Sequence, residues 1–270
     1  MTAPRSCLFV PADRSERIAK ARDSGADSVI VDLEDAVATG AKLAAREGLV
    51  AALDAKRPVV LRINGRDTPW FDDDARFAAQ RGVGAVMLPK AASADDVAAL
   101  RSRCGDKPVL ALIETARGLA AVNAIATAPG VARLVFGSID FQLDLDIEDD
   151  DEGLRAYRAQ LVLASRVAEL AAPVDGVTLE IDDAERVSAD ALRAREFGFG
   201  GKLCIHPRQV SSVNAAFSPR PEQLAWARRI VEASDAAGGA AVAVDGKMVD
   251  APVLSRARRL LSAARPEGTA

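Results

Sequence analysis

Short apolar runs alternate with longer helical patterns along most of the chain, and this alternation constrains the fold more than any other feature. Several runs are rich in Val, Ile and Leu without polar alternation, as expected for parallel strands that are covered on both faces. The pattern predicts an α/β protein built on a parallel sheet. The eight predicted strands are residues 6–11, 28–33, 59–63, 85–88, 109–113, 133–136, 174–179 and 202–205.

Two architectures contain repeated parallel strand–helix units. Eight units over about 200 residues are typical of a closed (β/α)8 TIM barrel. The alternative is an open, doubly wound sheet, which usually carries a G-x-G-x-x-G nucleotide motif after its first strand. Here the first run continues into Pro11-Ala-Asp-Arg14, which lacks that motif. We therefore predict a TIM barrel over residues 1–217.

Residues 218–270 do not continue the repeat. Pro219 and Pro221 precede an amphipathic helical pattern, and Asp245-Gly246 is a strong two-residue hairpin signal between short apolar runs. A last helix is predicted over about 251–264. This C-terminal helix–hairpin–helix extension is too short for a separate domain, so we expect it to pack on the barrel or on a neighbouring subunit.

Charge and cysteine content exclude several classes of protein. The net charge is −4 with a pI near 5.3, and no basic stretch is present, which argues against nucleic-acid binding. Three widely spaced cysteines predict no disulfide framework and favour a reduced, cytoplasmic location. No apolar run approaches the roughly 20 residues that span a bilayer, so no membrane association is expected.

Two acids close neighbouring predicted strands, Glu114 after the fifth and Asp140 after the sixth. Barrel enzymes place their chemistry at the C-terminal ends of strands. Adjacent strand axes lie about 5 Å apart, so both carboxylates would emerge together. Two hard oxygen ligands with open positions suit Mg²⁺ better than zinc. The sequence predicts a Mg²⁺ site here, although a strand-end acid can also simply cap the next helix.

Further polar residues follow other strands. Arg62 could grip a carboxylate in bidentate fashion, or it could form an ion pair at the barrel end. Glu34 and Asp35 are suited to ordering metal-bound water. Gly137 and Ser138 lie beside Asp140 and join Arg62, Glu34 and Asp35 as candidate substrate-binding residues.

For three other features a structural role is favoured, and a fourth, Lys90, is left open. His206, the only histidine, is expected to close the barrel end rather than to act in catalysis, and Lys90 is open to either interpretation. Cys204 is predicted to be a core residue rather than a nucleophile. The acidic run 144–152 is predicted to be a solvated loop rather than a second metal site.

Taken together, six segments resemble the citrate lyase β-subunit-like proteins of the HpcH/HpaI aldolase group, which are acyl-CoA lyases. The resemblance covers nearly the whole chain, in order. The segments are Arg5-Ser-Cys-Leu-Phe-Val-Pro11, Asp32-Leu-Glu-Asp-Ala-Val37, Arg62-Ile-Asn64 with Asp67-Thr-Pro-Trp70, Leu88-Pro-Lys90, Ile113-Glu-Thr-Ala-Arg-Gly118 and Cys204-Ile-His-Pro207.

The resemblance implies a homotrimeric TIM barrel with Mg²⁺ bound by Glu114 and Asp140. It implies that Arg62 binds the carboxylate of a 2-oxo acid product such as oxaloacetate, and that it acts in catalysis. Related lyases use an acid from a neighbouring subunit's tail, and Met248-Val-Asp-Ala-Pro252 matches its context. Asp250 is therefore the candidate acid–base residue.

The implied reaction is a Mg²⁺-dependent retro-Claisen cleavage of a citryl-, citramalyl- or malyl-type thioester. The acyl carrier could be coenzyme A or an acyl carrier protein. Ile139 stands where many relatives have an acidic or polar residue, which places the chain away from the authentic citrate lyase subunit. The alternatives are malate or citramalate synthase activity, malyl-CoA thioesterase activity, or a non-catalytic acyl-CoA-binding subunit.

Overall fold

The computed structural model describes residues 3–238 and 241–264, and they separate into two compact units. The first unit is Ala3–Asn214, and the second begins at Ala215, close to the predicted boundary after residue 217.

The first unit contains a closed barrel of eight parallel strands in chain order, in which the last strand pairs with the first. This confirms the predicted TIM barrel. The strands are β1 (Ser6–Pro11), β2 (Ser28–Asp32), β3 (Val59–Arg62), β4 (Val83–Leu88), β5 (Val109–Ile113), β6 (Val131–Phe136), β7 (Ala171–Asp175) and β8 (Gly201–Cys204).

Helices occupy the connections between the strands and most of the C-terminal region. Short 3-10 helices occur at Ala12–Arg14, Thr39–Ala41, Val50–Ala52 and Pro207–Gln209. The α-helices of the described residues are α1 (Arg17–Arg22), α2 (Lys42–Gly48), α3 (Phe71–Phe77), α4 (Ala94–Cys104), α5 (Ala116–Ala120), α6 (Val122–Ala126), α7 (Ser138–Leu145), α8 (Glu152–Val167), α9 (Ala184–Phe197), α10 (Val210–Phe217), α11 (Pro221–Ala236) and α12 (Ala251–Ala263).

The prediction for the seventh strand is wrong in its position. The strand is Ala171–Asp175 rather than 174–179. At Gly176 the chain passes so close to the start of α7 that a Cβ there would overlap Ser138 Oγ. The chain then leaves the sheet, so Val177 and Leu179 are apolar for a different reason: they line the mouth of the barrel.

Each strand contributes one buried apolar side chain to a core cluster inside the barrel. Because side chains alternate along a strand, the residue two positions further on points to the same interior. This rule brings polar residues at the strand ends into the mouth of the barrel. The eight core residues, in strand order, are Cys7, Ile30, Val60, Met87, Leu112, Val135, Val174 and Leu203.

The second unit contains α11, the antiparallel strands β9 (Val242–Val244) and β10 (Lys247–Val249), and α12. Asp245 and Gly246 both have positive φ, 50° and 72°, as a two-residue hairpin turn requires. The predicted hairpin is thus confirmed. Ala227, Ile230 and Val249 are buried in the core of this unit. Among the described residues, no helix has both the length and the apolar character needed to cross a membrane.

Candidate active site

A cavity of about 440 Å³ lies within the barrel unit at the C-terminal ends of the strands. Six of its lining residues stand two positions after a core residue of their strand, as the alternation requires. Those six are Phe9, Asp32, Arg62, Glu114, Gly137 and Ile205. The other lining residues are Pro11, Asp35, Ala36, Leu112, Ser138, Ile139, Asp140, Val177, Leu179 and Leu203.

Glu114 is one of two buried acids that line this cavity, with 2% of its surface exposed. Its Oε1 accepts a hydrogen bond of 2.7 Å from the backbone N–H of Lys90. A Cβ on Gly137 would lie 2.6 Å from Glu114 Oε2, so only glycine leaves room for this side chain. Burial, and then the charges of Glu34 and Asp140, raise the pKa of Glu114 to about 8.

Asp140 lies in the first turn of α7, which begins two residues after β6 ends. Its side chain lines the cavity and is close enough to Glu114 for its charge to raise the pKa of that carboxyl. No group of three or more His, Cys, Asp or Glu side chains in the described part of the chain is arranged to hold a metal ion. A cation at Glu114 and Asp140 would take two ligands from the barrel unit and keep its other positions open.

Arg62 is paired with an acid that the sequence reading did not single out. Its Nε and Nη2 donate to the two carboxylate oxygens of Asp32, at 2.7 and 2.6 Å. Asp32 also accepts hydrogen bonds from the backbone N–H groups of Glu34 and Ala36. Arg62 therefore cannot use the bidentate fork on another carboxylate while this pair is intact, and the ion-pair alternative describes this structure.

The remaining nitrogen of Arg62, Nη1, lies 3.0 Å from Glu34 Oε2 and 3.6 Å from Asp35 Oδ2. Burial alone would lower the pKa of Arg62, but the hydrogen bonds and charge of Asp32, with Glu34 and Asp35, raise it above its usual range. Phe9 packs under the guanidinium, with 4.8 Å between Cζ and the ring centroid. Arg62 is thus a permanently charged and well-fixed group at the cavity wall.

Lys90 connects the two acidic groups of the site. Its Nζ donates to Glu34 Oε1 at 2.6 Å, while its backbone N–H holds Glu114. The residue adopts a positive φ of 50°, which is uncommon outside glycine and turns its N–H and side chain toward these partners. Burial raises the pKa of Glu34, and Arg62 and Lys90 oppose that effect.

The structure brings most of the predicted site residues together. Glu114, Asp140, Arg62, Asp35, Gly137 and Ser138 all line the cavity. Glu34 is one contact further away, bound to Arg62 and Lys90. Ser138 Oγ is buried and has no hydrogen-bond partner among the described residues. Asp250 lies in the second unit, where its side chain caps α12 by accepting from the Val253 N–H at 3.1 Å.

Asp32 is the site residue that sequence reasoning missed. A signal was present, because Asp32 follows the core residue Ile30 by two positions and pairs in register with Arg62 of the next strand. Strand alternation therefore places both side chains in the barrel interior, side by side. Asp32, Glu34 and Asp35 stand together at the end of the second strand, and the sequence reading did not distinguish which of them points inward.

Three of the residue assignments concern structural roles. His206 caps the 3-10 helix Pro207–Gln209 and does not line the cavity. Cys204 is fully buried, as predicted for a core residue, and burial raises the pKa of its thiol to about 12. The prediction of a solvated loop over 144–152 is wrong for Asp150, which accepts from the buried Arg158 and from Arg193 at 2.9 and 2.7 Å.

Comparison with known proteins agrees with this geometry. Residues 5–207 match the family model described as HpcH/HpaI aldolase/citrate lyase. The chain belongs to this family. The match spans the barrel and every strand that contributes to the cavity, and it confirms the resemblance seen in the sequence motifs.

Relatives in the family cover almost the whole chain. A citrate lyase subunit beta-like protein from Deinococcus radiodurans is 38% identical, over 97% of this chain and 99% of its own length. A (3S)-malyl-CoA thioesterase from Cereibacter sphaeroides is 35% identical, over 96% and 94%. CitE from Mycobacterium tuberculosis, solved with magnesium, acetoacetate and coenzyme A, has a TM-score of 0.85 and 39% identity, covering 97% of this chain and 98% of that chain.

Proposed function

We propose that the chain is a Mg²⁺-dependent carbon–carbon lyase that cleaves a 3-hydroxy-carboxyacyl thioester into a 2-oxo acid and a shorter acyl thioester. The observation that supports this most is one cavity that holds a buried acid, a second acid and a fixed arginine: Glu114, Asp140 and Arg62. The two acids can hold a divalent cation, and the guanidinium of Arg62 can face a substrate carboxylate. Coenzyme A and magnesium in the related CitE structure are consistent with this reaction class.

The donor set fits Mg²⁺. Both candidate ligands are carboxylates, and among the described residues only the Lys90 N–H donates to Glu114, on Oε1. Burial is the main cause of the raised pKa of Glu114, and the charges of Glu34 and Asp140 add to it. A cation held by Glu114 and Asp140 would offset the repulsion between these two carboxylates. When bound there, Mg²⁺ would supply positive charge that polarises the oxygens of the substrate and offsets developing negative charge.

The proposed cleavage has no net proton uptake or release, because the base that removes one proton from the substrate later returns it to the product. The base removes the proton of the 3-hydroxyl group, the bond between C2 and C3 breaks, and the hydroxyl carbon becomes the carbonyl of the 2-oxo acid. The electron pair passes to the thioester enolate, whose carbon then takes up the proton. Arg62, held by Asp32, would orient the substrate carboxylate through Nη1, and Ser138 Oγ supplies a buried hydroxyl in the same cavity.

Asp250 is the proposed base. The barrel cavity has four acids of its own, but Glu114 and Asp140 are assigned to the cation, and Asp32 and Asp35 both face Arg62, at 2.6 and 3.6 Å. Glu34, outside the lining, is bound to Lys90. Asp250 comes from the second unit, in the tail sequence that matches the family's acid. We further propose a homotrimer in which this residue serves a neighbouring copy.

An assay of 2-oxo acid release tests the function. The protein is incubated with Mg²⁺ and with malyl-, citramalyl- and citryl-CoA, and the 2-oxo acid is measured over time. We expect release from at least one thioester that stops on addition of EDTA and returns with excess Mg²⁺. Bound metal without release from any of the three would favour the non-catalytic binding subunit instead.

Mixing two inactive variants tests the role of Asp250. We expect Asp250→Asn and Arg62→Ala each to lose at least about 100-fold in kcat, because each lacks a group that touches the substrate. If Asp250 acts on a neighbour, refolding the two together restores a fraction of the activity, since some mixed oligomers contain one intact site. Refolding each variant alone is the control. Activity that stays absent in the mixture would contradict action in trans.

A malyl-CoA thioesterase is the second candidate, because a relative with that name is 35% identical over 96% of this chain. Hydrolysis would release malate and free coenzyme A, whereas cleavage releases glyoxylate and acetyl-CoA. Measuring free thiol and glyoxylate in the same reaction separates the two. Thiol without glyoxylate from malyl-CoA would favour hydrolysis.

A further inference from the structure

The cavity has two chemically different sides. On one side, β2, β3, β5 and the start of α7 present Asp32, Arg62, Glu114 and Asp140. The opposite side is apolar and is formed by β1, the segment after β7 and the segment after β8. We call it the apolar wall, and its residues are Phe9, Pro11, Val177, Leu179 and Ile205.

The apolar wall is held in place by buried polar contacts behind it. Lys202 Nζ donates to the Gly176 carbonyl at 2.8 Å, and Gln209 Nε2 donates to the Thr178 carbonyl at 2.8 Å. The Thr178 hydroxyl donates to Asp190 at 2.7 Å. These contacts fix the segment at Gly176 and Thr178, and Val177 and Leu179 line the cavity.

Charge in the cavity suits a substrate with one free carboxylate. Arg62 is the single basic residue among the described residues that line it, against four acids. One substrate carboxylate could contact Arg62 Nη1, which Asp32 does not bind, together with a divalent cation held by Glu114 and Asp140. Among the described lining residues no further basic group remains for a second carboxylate. A second free carboxylate would meet either this negative side or the apolar wall, and both disfavour it.

Basic residues nearby do not change this count. Arg66, Lys90 and Arg117 line a separate depression that shares no residue with the cavity. Within it, Arg66 is paired with Asp96 and Lys90 with Glu34, both at 2.6 Å. The charges of Arg66 and Lys90 are therefore committed to protein carboxylates, and Arg117 lines the depression rather than the cavity.

We infer that the apolar wall selects acyl thioesters whose hydroxyl-bearing carbon carries hydrogen or a small alkyl group, and rejects those that carry a carboxymethyl group there. The inference rests on the proposed lyase function and deepens it. Its preferred substrates are of the malyl and citramalyl type, which yield glyoxylate and pyruvate. Citryl thioesters, which would yield oxaloacetate, are the disfavoured type.

Relative rates of the native protein give the first test. We expect kcat/KM for the better of malyl- and citramalyl-CoA to exceed that for citryl-CoA by at least about 100-fold, as expected when a site leaves a charge unpaired. Equal or faster cleavage of citryl-CoA would overturn the inference while the proposed function stands. Absence of cleavage of all three would overturn the proposed function itself.

A cation placed on the wall gives the second test. Leu179 is 60% exposed, so Leu179→Lys should fold. We expect the citryl to citramalyl ratio of kcat/KM to rise at least about tenfold, because the ammonium supplies the missing partner charge. Ile181→Lys is the matched control, since Ile181 lies two residues away, is 42% exposed and does not line the cavity.

A second lysine substitution on the apolar wall keeps the inference testable if Leu179→Lys does not fold. Ile205 lies on β8's side of the same wall and is 36% exposed, so Ile205→Lys should produce the same direction of change. Thermal melts confirm that each variant is folded before rates are compared. If the citryl to citramalyl ratio of kcat/KM is unchanged in both folded variants, the carboxymethyl group of the citryl substrate does not face the apolar wall. The inference would then be wrong.

Discussion

Replacing Glu114 by glutamine is expected to lower kcat/KM for Mg²⁺-dependent cleavage by about 1000-fold or more. The substitution keeps the shape of the side chain but removes one of two charges proposed to hold the cation, whose electrostatic effect is worth several kcal/mol. Steady-state rates and Mg²⁺ titration by calorimetry measure the loss. Full metal-dependent activity in Glu114→Gln would show that the site assignment is wrong.

The same substitution is expected to stabilise the metal-free protein at alkaline pH. The folded pKa of Glu114, about 8, lies above its usual value of 4.5, so the folded state binds this proton more tightly than the unfolded chain does. The contribution of the Glu114 carboxyl to the free energy of unfolding is fully present below pH 4.5, its usual pKa. It is lost as the pH rises through about 8 and the buried carboxyl must ionise. We therefore expect Glu114→Gln to melt above the native protein at about pH 9 in EDTA, and near it at about pH 4.

A substitution on the surface serves as the control. Glu47→Gln in α2 removes the same charge from an exposed position away from the cavity. It should leave both the Mg²⁺ titration and the pH dependence of melting unchanged. If it shifts melting as Glu114→Gln does, the effect comes from net charge rather than from burial of one carboxyl.

Asp32→Asn is the second large effect, and we expect it to damage both folding and catalysis. Asp32 is 1% exposed and binds Arg62 through both oxygens, so its neutral analogue leaves a guanidinium that is only 11% exposed poorly compensated. Breaking one partner of such a pair costs about 3–5 kcal/mol of stability. Chemical denaturation at neutral pH measures this loss.

Asp32→Asn should also lower the catalytic rate of the protein that remains folded, apart from its effect on stability. At a temperature where the variant stays folded, a misplaced Arg62 is expected to lower kcat/KM by about 100-fold. Asp32 is a positioning residue in this view, so Asp32→Glu should recover part of the rate, whereas Asp32→Ala should not. Asp95→Asn, at an exposed position in α4, is the control and should change neither quantity strongly. Native kcat/KM in folded Asp32→Asn would contradict the positioning role.

The barrel was predictable because most of its strands can be recognised from their amino-acid composition. Runs without polar alternation mark strands covered on both faces, and β1 and β5 have the bounds that the pattern predicts. The seventh strand was misplaced because apolarity does not distinguish a sheet residue from one that lines a cavity. Val177 and Leu179 continue the apolar pattern but stand beyond the chain's departure from the sheet at Gly176.

The acids at the strand ends were also predictable, while their partners were not. A strand-end position gives the edge of the barrel on which Glu114 and Asp140 emerge. It does not give the contacts between distant segments. Glu34 meets Lys90 across 56 residues of sequence, and the Lys90 amide reaches Glu114 through an uncommon backbone conformation. Such contacts depend on loop geometry, which no periodicity in the sequence encodes.

The register between β2 and β3 makes this site vulnerable to small changes in chain length. Asp32 and Arg62 are directly opposite each other, and both depend on strand alternation to face inward. Inserting a single residue in the middle of β2 would turn Asp32 toward the helical layer and leave the guanidinium without its partner. By contrast, the connecting segments at the opposite end of the barrel can lengthen without altering which side chains point inward. Length variation within the family should therefore be tolerated between the elements and excluded inside these two strands.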